Sequence, residues 1–456
     1  MEKQNRGLIL QEVQHVLALL FLFLLPWQTR YIWKYGQLNG GYWEYGTGSL
    51  YVTEILLWVI LVLFFVNNFL KKEVWVGLFK NKNVFSLVFA GFLAVVGASV
   101  MLSENFGISY NYIFRILEGM AIMTVLFRSG QSVILNGVKD PLNTNERDSS
   151  VAFLPQNDRY VVAIWLGAVG QGALAIYQFL TQHVFASKWL GMAAQESYNL
   201  GPSVIQFADQ RWLRAYGSFG SPNSLGIYLA VLFVLGFILY FKTQIPRYKI
   251  LISVGQLFIL SGLLLSFSRG AWLAALVGLA SLFIVLFFKQ KDFLRDFIKQ
   301  IVFALGVAIF WIIIFYPVFN ARFNLQNRLE ATSVSERKGQ YSESLSFIKL
   351  NPIFGVGPGV YTFALAKKYP DLASWQLQPI HNIYLLILVE MGIFGMLAIF
   401  LSVASIARLI LKNNLIYAPV LTALFASGML DHWLASLFTG MVFWWVVLGL
   451  GLKKNP

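Results

Sequence analysis

NPIFGVGPGVYTFALAKKYPDLASWQLQPIHNIYLLILVEMGIFG, residues 351–395, is the one long segment in which glycine, proline and polar residues interrupt an otherwise apolar chain. The ring of Pro352 pushes Asn351 out of the α region and ends a preceding helix. Gly355, Gly357 and Gly359 permit positive φ and close backbone approach. Pro358 suits the first position of a new helix running to about Tyr369. A second break, at Pro370-Asp371, ends that helix. His381-Asn382 then opens a strongly apolar helix, which sets one of the chain's 4 histidines where a membrane segment meets water.

The apolar helix that follows is representative of the whole. Of 456 residues, 57% are hydrophobic and only 12% charged, against about 25% charged in soluble proteins. The composition is that of an integral membrane protein, and 40 Phe and 14 Trp suit lipid-facing surfaces and interfacial belts. The absence of Cys excludes disulfides, a thiolate nucleophile and Cys-containing metal sites. The formal charge of +14 does not point to nucleic acid, because cytoplasmic loops of membrane proteins are rich in Lys and Arg. Anionic membrane lipid or a lipid diphosphate is the expected partner.

Apolar runs long enough to span a bilayer lie near 8–26, 50–70, 84–102, 108–127, 160–181, 222–241, 248–266, 270–288, 300–319, 381–407, 415–431 and 436–452. The expected fold class is all-α, a polytopic bundle of about twelve transmembrane helices forming a single integral membrane domain over 1–456, with a long helical outer loop, 320–380, between spans nine and ten. The first run has no small-residue cleavage site and reads as a retained anchor. No internal repeat is visible, and 128–159 reads as a solvated cytoplasmic connector.

Grouping both termini with the even-numbered loops gathers 21 Lys and Arg, against 13 in the odd-numbered loops, 7 of them in the one long loop. By the positive-inside rule both termini are cytoplasmic. The loops 182–221 and 320–380, the turn Ser268-Arg269-Gly270, Asp431-His432 and His381 then all face outward.

Three polar islands carry candidate chemistry. In RAYGSFGSPNSLGIYL, 214–229, Arg214 precedes a Gly-Ser-Pro turn and Asn223, with Arg211 close by; the alternative is an interfacial arginine that snorkels to headgroups. In LLLSFSRGAWLAALVG, 263–278, Arg269 is the sole charge in a tight turn between two spans, where it faces a fixed anion or the protein interior. In SVSERKGQYSESLSFIKLNP, 333–352, Arg337 lies on an amphipathic helix with Tyr341, Leu345 and Ile348 on one stripe; a solvated helix face is the alternative. His381 suits proton transfer, orientation or capping with Asn382. Asp431 and His432 end a span on the same face, where helix capping explains them equally well. Arg115 and Glu118, three apart inside a span, read as an architectural ion pair. His15 and His183 stand apart, so no histidine cluster for zinc is formed. No phosphate loop or nucleophile elbow is present.

The 351–395 stretch resembles the carboxy-terminal signature of the O-antigen ligase and O-antigen polymerase family of bacterial membrane proteins: a Pro-x-x-Gly-x-Gly turn, a long loop, then His-Asn and an apolar helix with Glu-x-Gly. Pro352, Gly355, Gly357, His381, Asn382, Glu390 and Gly392 occupy those places. The Arg214 stretch and the Ser-Arg-Gly at 268–270 are similar to further family motifs, so the resemblance extends over most of 200–450. It implies metal-independent transfer of a glycan from an undecaprenyl-diphosphate-linked donor in the cytoplasmic (inner) membrane. The acceptor is a glycan, lipid-glycan or protein hydroxyl: a lipid core sugar for a ligase, another lipid-linked repeat for a polymerase, and a Ser or Thr for a protein O-oligosaccharyltransferase. No cofactor is implied. Arg214 and Arg269 would bind diphosphate, Arg337 and Asn382 substrate, with His381 catalytic and Arg211, Asn223, Asp431 and His432 in supporting places. The alternative from another class is a lipid-linked glycan flippase or other polysaccharide transporter, which should carry polar residues down a central path through the bilayer.

Overall fold

Serine and proline set where the central helix begins. The side chain of Ser221 accepts from the amide of Ser224, and Pro222 takes the first turn, where its missing N–H costs nothing. The apolar run that follows is α6 in a computed structural model of the chain, which describes residues 2–69, 84–129, 156–207, 209–324 and 328–452. In chain order the helices are α1 (Glu2–Leu24), α2 (Val52–Phe69), α3 (Val84–Met101), α4 (Phe106–Ser129), α5 (Gln156–Thr181), α6 (Pro222–Lys242), α7 (Pro246–Leu265), α8 (Arg269–Lys289), α9 (Leu294–Ile314), α10 (Tyr316–Phe323), α11 (Arg328–Leu350), α12 (Tyr361–Lys368), α13 (Ile383–Asn413), α14 (Ala418–Gly428), α15 (Trp433–Ser436) and α16 (Phe438–Gly451). Most of the connector expected at 128–159 lies outside the described residues.

Among the described residues, 6 helices are long and apolar enough to cross a membrane: Asp158–Thr181, Pro222–Lys242, Pro246–Leu265, Arg269–Lys289, Lys291–Ile314 and Ile383–Asn413. Shorter apolar helices lie at Ile9–Leu24, Val52–Asn67, Ala90–Met101, Leu415–Gly428 and Phe438–Gly451. With α4, which carries Arg115 and Glu118, they fall on the runs expected from the sequence, but length and composition qualify only the six. The chain is therefore a multi-pass helical membrane protein. α6 is buried along nearly its whole length, enclosed by α5, α7, α8 and α14. α9 sits at the outside, with Val302, Leu305, Ile309 and Ile313 more than half exposed, as a lipid-facing surface requires.

One end of the bundle is tied by ion pairs, Lys242 to Asp158 at 2.8 Å and Lys249 to Asp296 at 2.6 Å. The other end carries the irregular structure. Four two-stranded antiparallel ribbons stand there, which an all-α reading does not contain: β1 (Arg30–Lys34) with β4 (Gly48–Tyr51), β2 (Gln37–Leu38) with β3 (Gly41–Tyr42), β5 (His183–Val184) with β6 (Gln195–Glu196), and β7 (Val204–Phe207) with β8 (Gln210–Leu213). The 27–51 segment is fastened to the far part of the chain by three side chains. Asn39 Nδ2 donates to the carbonyls of Tyr369 and Leu372, Trp43 Nε1 to Thr362 Oγ1, and the Tyr45 hydroxyl to Gln378 Oε1.

The 351–360 turn docks into a break in α13. At Gly392 the backbone takes φ 63°, and a Cβ there would sit 2.2 Å from the carbonyl oxygen of Ile353. The amides of Val356 and Gly357 donate to the carbonyls of Val389 and Glu390, and Ile393 N donates to Pro352 O. The turn thus satisfies the groups that the break frees. The short helix begins at Tyr361, not at Pro358. Gly359, at φ 74°, cannot continue a right-handed helix, and its amide donates at 2.9 Å to the carboxylate of Glu390, which also accepts from Tyr361 N.

Candidate active site

The tight turn between α7 and α8 fixes three guanidinium groups. Phe267, fully buried at φ 47°, turns the backbone so that successive carbonyls point in different directions. Ser266 O accepts from Arg214 Nε at 2.8 Å, and Phe267 O accepts from Arg322 Nε at 2.8 Å. Ser268 caps α8, placing Arg269 in its first turn, and Arg269 Nη1 donates to the carbonyl of Arg322 at 3.3 Å.

Arg214 continues the chain. Its Nη2 donates to Asn223 Oδ1 at 2.7 Å, and Asn223 Nδ2 donates to Asp431 Oδ2 at 3.2 Å. The loop that carries Arg214 is held from below by buried glutamines of α5. Gln178 Oε1 accepts from the amides of Tyr216 and Gly217, and Gln171 Oε1 from Ser218 N. Arg211 is anchored by the carbonyls of Ser197 and Asn199.

These groups wall one cavity of about 460 Å³. Arg211, Arg214, Arg269, Arg322, Arg328 and Arg337 line it, with Asp431 and Glu336 the only carboxylates in its wall among the described residues. Arg322 and Arg328 were not among the residues singled out from sequence. Arg337 reaches the cavity because α11 turns the face of Arg337, Gln340, Ser344 and Phe347 inward. Tyr341 and Leu345, expected on the packed stripe, are exposed. The inward face is mixed and polar because it meets a polar cavity.

His381 lies in the last bend before α13. Its backbone N and its Nδ1 both lie within hydrogen-bonding distance of Gln340 Oε1, at 3.2 and 3.0 Å. An amide oxygen only accepts, so Nδ1 carries the proton and Nε2 keeps its lone pair. The ring meets His432 edge-to-face at 5.0 Å between centroids, and His432 Nδ1 is 2.7 Å from Ser436 Oγ. Burial, the charge of His432 and that of Arg337 push the His381 pKa down to about 4, against the opposing pull of Asp431. His381 is therefore neutral at neutral pH. Burial also lowers His432. Burial raises the carboxyl of Asp431, but His432, His381, the Trp433 amide and Arg337 outweigh it and hold the group below the usual carboxylate value.

The structure thus gathers Arg211, Arg214, Asn223, Arg269, Arg337 and Asp431 around one cavity. His381 and His432 stand beside it, sensing Arg337 and Asp431. Asn382 is placed differently: its Oδ1 accepts from the amides of Tyr384 and Leu385 and caps α13. Gln340, one turn from Arg337 on the same face, was legible by spacing and was missed. Arg115, inside α4, pairs with Glu118 at 3.5 Å and more closely with Glu54, apart from this cavity.

Fold and site together define a polytopic helical membrane protein with a guanidinium-lined cavity and a neutral histidine at one end of its bundle. Residues 254–400 match the family model described as O-antigen ligase, and that match supports an assignment to the O-antigen ligase family. The match supports a membrane glycan-transfer role and a glycosyltransferase-like enzyme, with a lipid-linked glycan and an acceptor as its partners in general. Arg269, Arg322, Arg328, Arg337, Gln340, His381 and Asn382 fall within the matched segment; Arg214, Asn223, Asp431 and His432 lie outside it. No curated protein matches the chain.

Proposed function

We propose that this protein transfers a glycan from an undecaprenyl-diphosphate-linked donor to an acceptor hydroxyl without a metal ion, as an O-antigen ligase or polymerase. The reaction takes place at the outer face of the cytoplasmic membrane, which the chain crosses about twelve times with both termini cytoplasmic. The observation that carries this reading is the convergence of six arginines on one cavity beside a neutral histidine.

Guanidinium groups stay charged at any relevant pH and bind phosphate oxygens bidentately. Arg214 and Arg269, each held by a backbone carbonyl, bind the diphosphate and stabilise the charge that grows on it as it leaves. Arg337 contacts phosphate or sugar from α11, Arg211 extends the basic wall, and Asn382 offers its amide nitrogen while its oxygen caps α13. The acceptor oxygen bonds to the anomeric carbon as the bond from that carbon to the diphosphate oxygen breaks, its electron pair leaving on the diphosphate. The hydroxyl proton passes to Nε2 of His381 and then to water. Bound diphosphate offsets the Arg337 charge that depresses His381, so the imidazole becomes a better base when the donor is in place. Asp431, with Asn223, steadies the imidazolium.

The test is transfer by purified protein from a synthetic lipid-diphosphate glycan to a panel of acceptors, with and without EDTA. His381→Ala should bind donor and fail to transfer. Full activity in His381→Ala or Arg269→Ala, or loss of activity in EDTA restored by a divalent cation, would overturn the mechanism.

A further inference from the structure

A second cleft of about 760 Å³ opens at the same end of the bundle and uses a part of the chain that the arginine cavity does not. Its walls come from the 30–51 segment together with α4, the 359–363 turn and residues 435–438. Trp33 and Tyr35 stand in it with 58% and 64% of their surface exposed. Aromatic rings left in water at a cleft mouth are costly unless something covers them.

The described charged residues in the wall of this cleft are three cations, Arg30, Lys34 and Arg115, and three carboxyl groups, Glu44, Glu54 and Glu390. Arg30 makes a bidentate pair with Glu44, at 2.5 and 2.9 Å, and Arg115 is neutralised by Glu54 and Glu118. A lining of flat aromatic faces with planar, paired hydrogen-bonding groups suits a ligand with apolar C–H faces and many hydroxyls, and gives an anion no net attraction.

The strand of chain between the two cavities is Asp431 to Ser436. Asp431 is in the wall of the arginine cavity and Ser436 in the wall of the second cleft. His432, between them, touches His381 on one side and the ring of Tyr45, a cleft residue, at 5.8 Å on the other. We infer that this cleft is the acceptor subsite and that it takes a neutral oligosaccharide, whose hydroxyl reaches His381 from the side opposite the diphosphate. The inference rests on the glycan-transfer reading and deepens it. A nucleophile must approach the anomeric carbon away from the departing diphosphate, and the second cleft meets the histidine pair through Tyr45, a residue absent from the wall of the arginine cavity. It also selects a glycan acceptor over a protein one.

Two soluble probes separate this inference from the reading it rests on. Saturation-transfer NMR on the full chain in nanodiscs would use, separately, farnesyl diphosphate and the lipid-free oligosaccharide released by mild acid from the producing cell's own surface glycolipid. Trp33→Ala and Tyr35→Ala, both at exposed rings, should each weaken oligosaccharide binding at least about tenfold and leave farnesyl diphosphate binding unchanged, which also shows that the variants are folded. Arg269→Ala should do the reverse. No oligosaccharide binding by the unaltered protein, or binding indifferent to Trp33 and Tyr35, overturns the acceptor cleft alone. Failure to bind farnesyl diphosphate overturns the donor reading instead.

Discussion

Nδ1 of His381 lies 3.0 Å from Oε1 of Gln340, a side chain 41 residues earlier on another helix. The contact fixes the imidazole tautomer from outside the loop that carries it. Gln340→Leu removes the acceptor and keeps the bulk, so the ring is free to place its proton on Nε2, where it can no longer accept one. A charge-free hydrogen bond of about 1–1.5 kcal/mol translates into roughly a tenfold loss of turnover. The expected result is a fall in kcat with donor and acceptor KM unchanged; an equal rise in KM would mean that Gln340 only holds the loop.

The pH behaviour of His381 follows from its surroundings. Its folded pKa of about 4 lies below the ordinary 6.5. The folded protein therefore binds fewer protons than the unfolded chain between those values. The corresponding stability is fully present above about pH 6.5 and is lost as pH falls from there through 4, amounting to on the order of 1–3 kcal/mol. His381→Gln should flatten that part of the stability curve. Farnesyl diphosphate, by screening Arg337, should move the His381 titration upward, and imidazole NMR in nanodiscs would show the shift directly.

Much of this arrangement was legible because local rules fix it. An arginine between two apolar runs separated by a few residues has nowhere to wander, so Arg269 announces itself, and the Pro/Gly pattern around Gly355 and Gly357 marks a turn that no helix could continue. What was not legible depends on the return of distant chain. Arg322 and Arg328 look like ordinary loop charges until α10 sets Arg322 on the Phe267 carbonyl and α11 brings Arg328 to the cavity wall. Tyr45 acquires a place near His432 only because its ribbon hydrogen-bonds to residues more than 300 positions away. The stripe on α11 was misassigned because periodicity tells which residues share a face, not whether that face meets protein, lipid or a polar cavity. Leu345, 56% exposed, turns outward while Arg337 turns in. The span count is a related case: among the described residues length and composition qualify six helices, and apolar composition does not distinguish a full span from a buried helix of ten to seventeen residues.

Arg214 and lysine are not interchangeable. The guanidinium donates through Nε to Ser266 O and through Nη2 to Asn223 Oδ1, two directions that an ammonium on a flexible stem cannot hold together. Arg214→Lys keeps the positive charge but leaves a buried carbonyl or the Asn223 amide oxygen unpaired, at a cost of about 1–3 kcal/mol. The variant should show a lower melting temperature and at least about tenfold weaker farnesyl diphosphate binding. Retention of wild-type affinity would assign the cavity a bulk electrostatic role, with no directed one for Arg214.

Gly355 and Gly392 face each other across the docked turn, and both hold left-handed φ, 68° and 63°. A Cβ on Gly355 would lie 2.3 Å from the carbonyl carbon of Glu390, and one on Gly392 2.2 Å from the carbonyl oxygen of Ile353. These neighbours are backbone, so nothing flexible can give way, and the left-handed conformation alone costs of order 1–3 kcal/mol for a non-glycine residue. Gly392→Ala should therefore destabilise the protein by more than that conformational cost, seen as a lower melting temperature and reduced recovery of folded protein. Gly306, in α9, has open space around its Cβ position and ordinary helical φ, so Gly306→Ala is the matched control and should be neutral or stabilising. Displacing the 353–357 turn also removes the amides of Val356 and Gly357 from the carbonyls of Val389 and Glu390, and His381 lies in the bend immediately before α13. Gly392→Ala protein that does fold should accordingly lose transfer while still binding farnesyl diphosphate, because Arg214 and Arg269 are positioned by the Phe267 turn and not by α13.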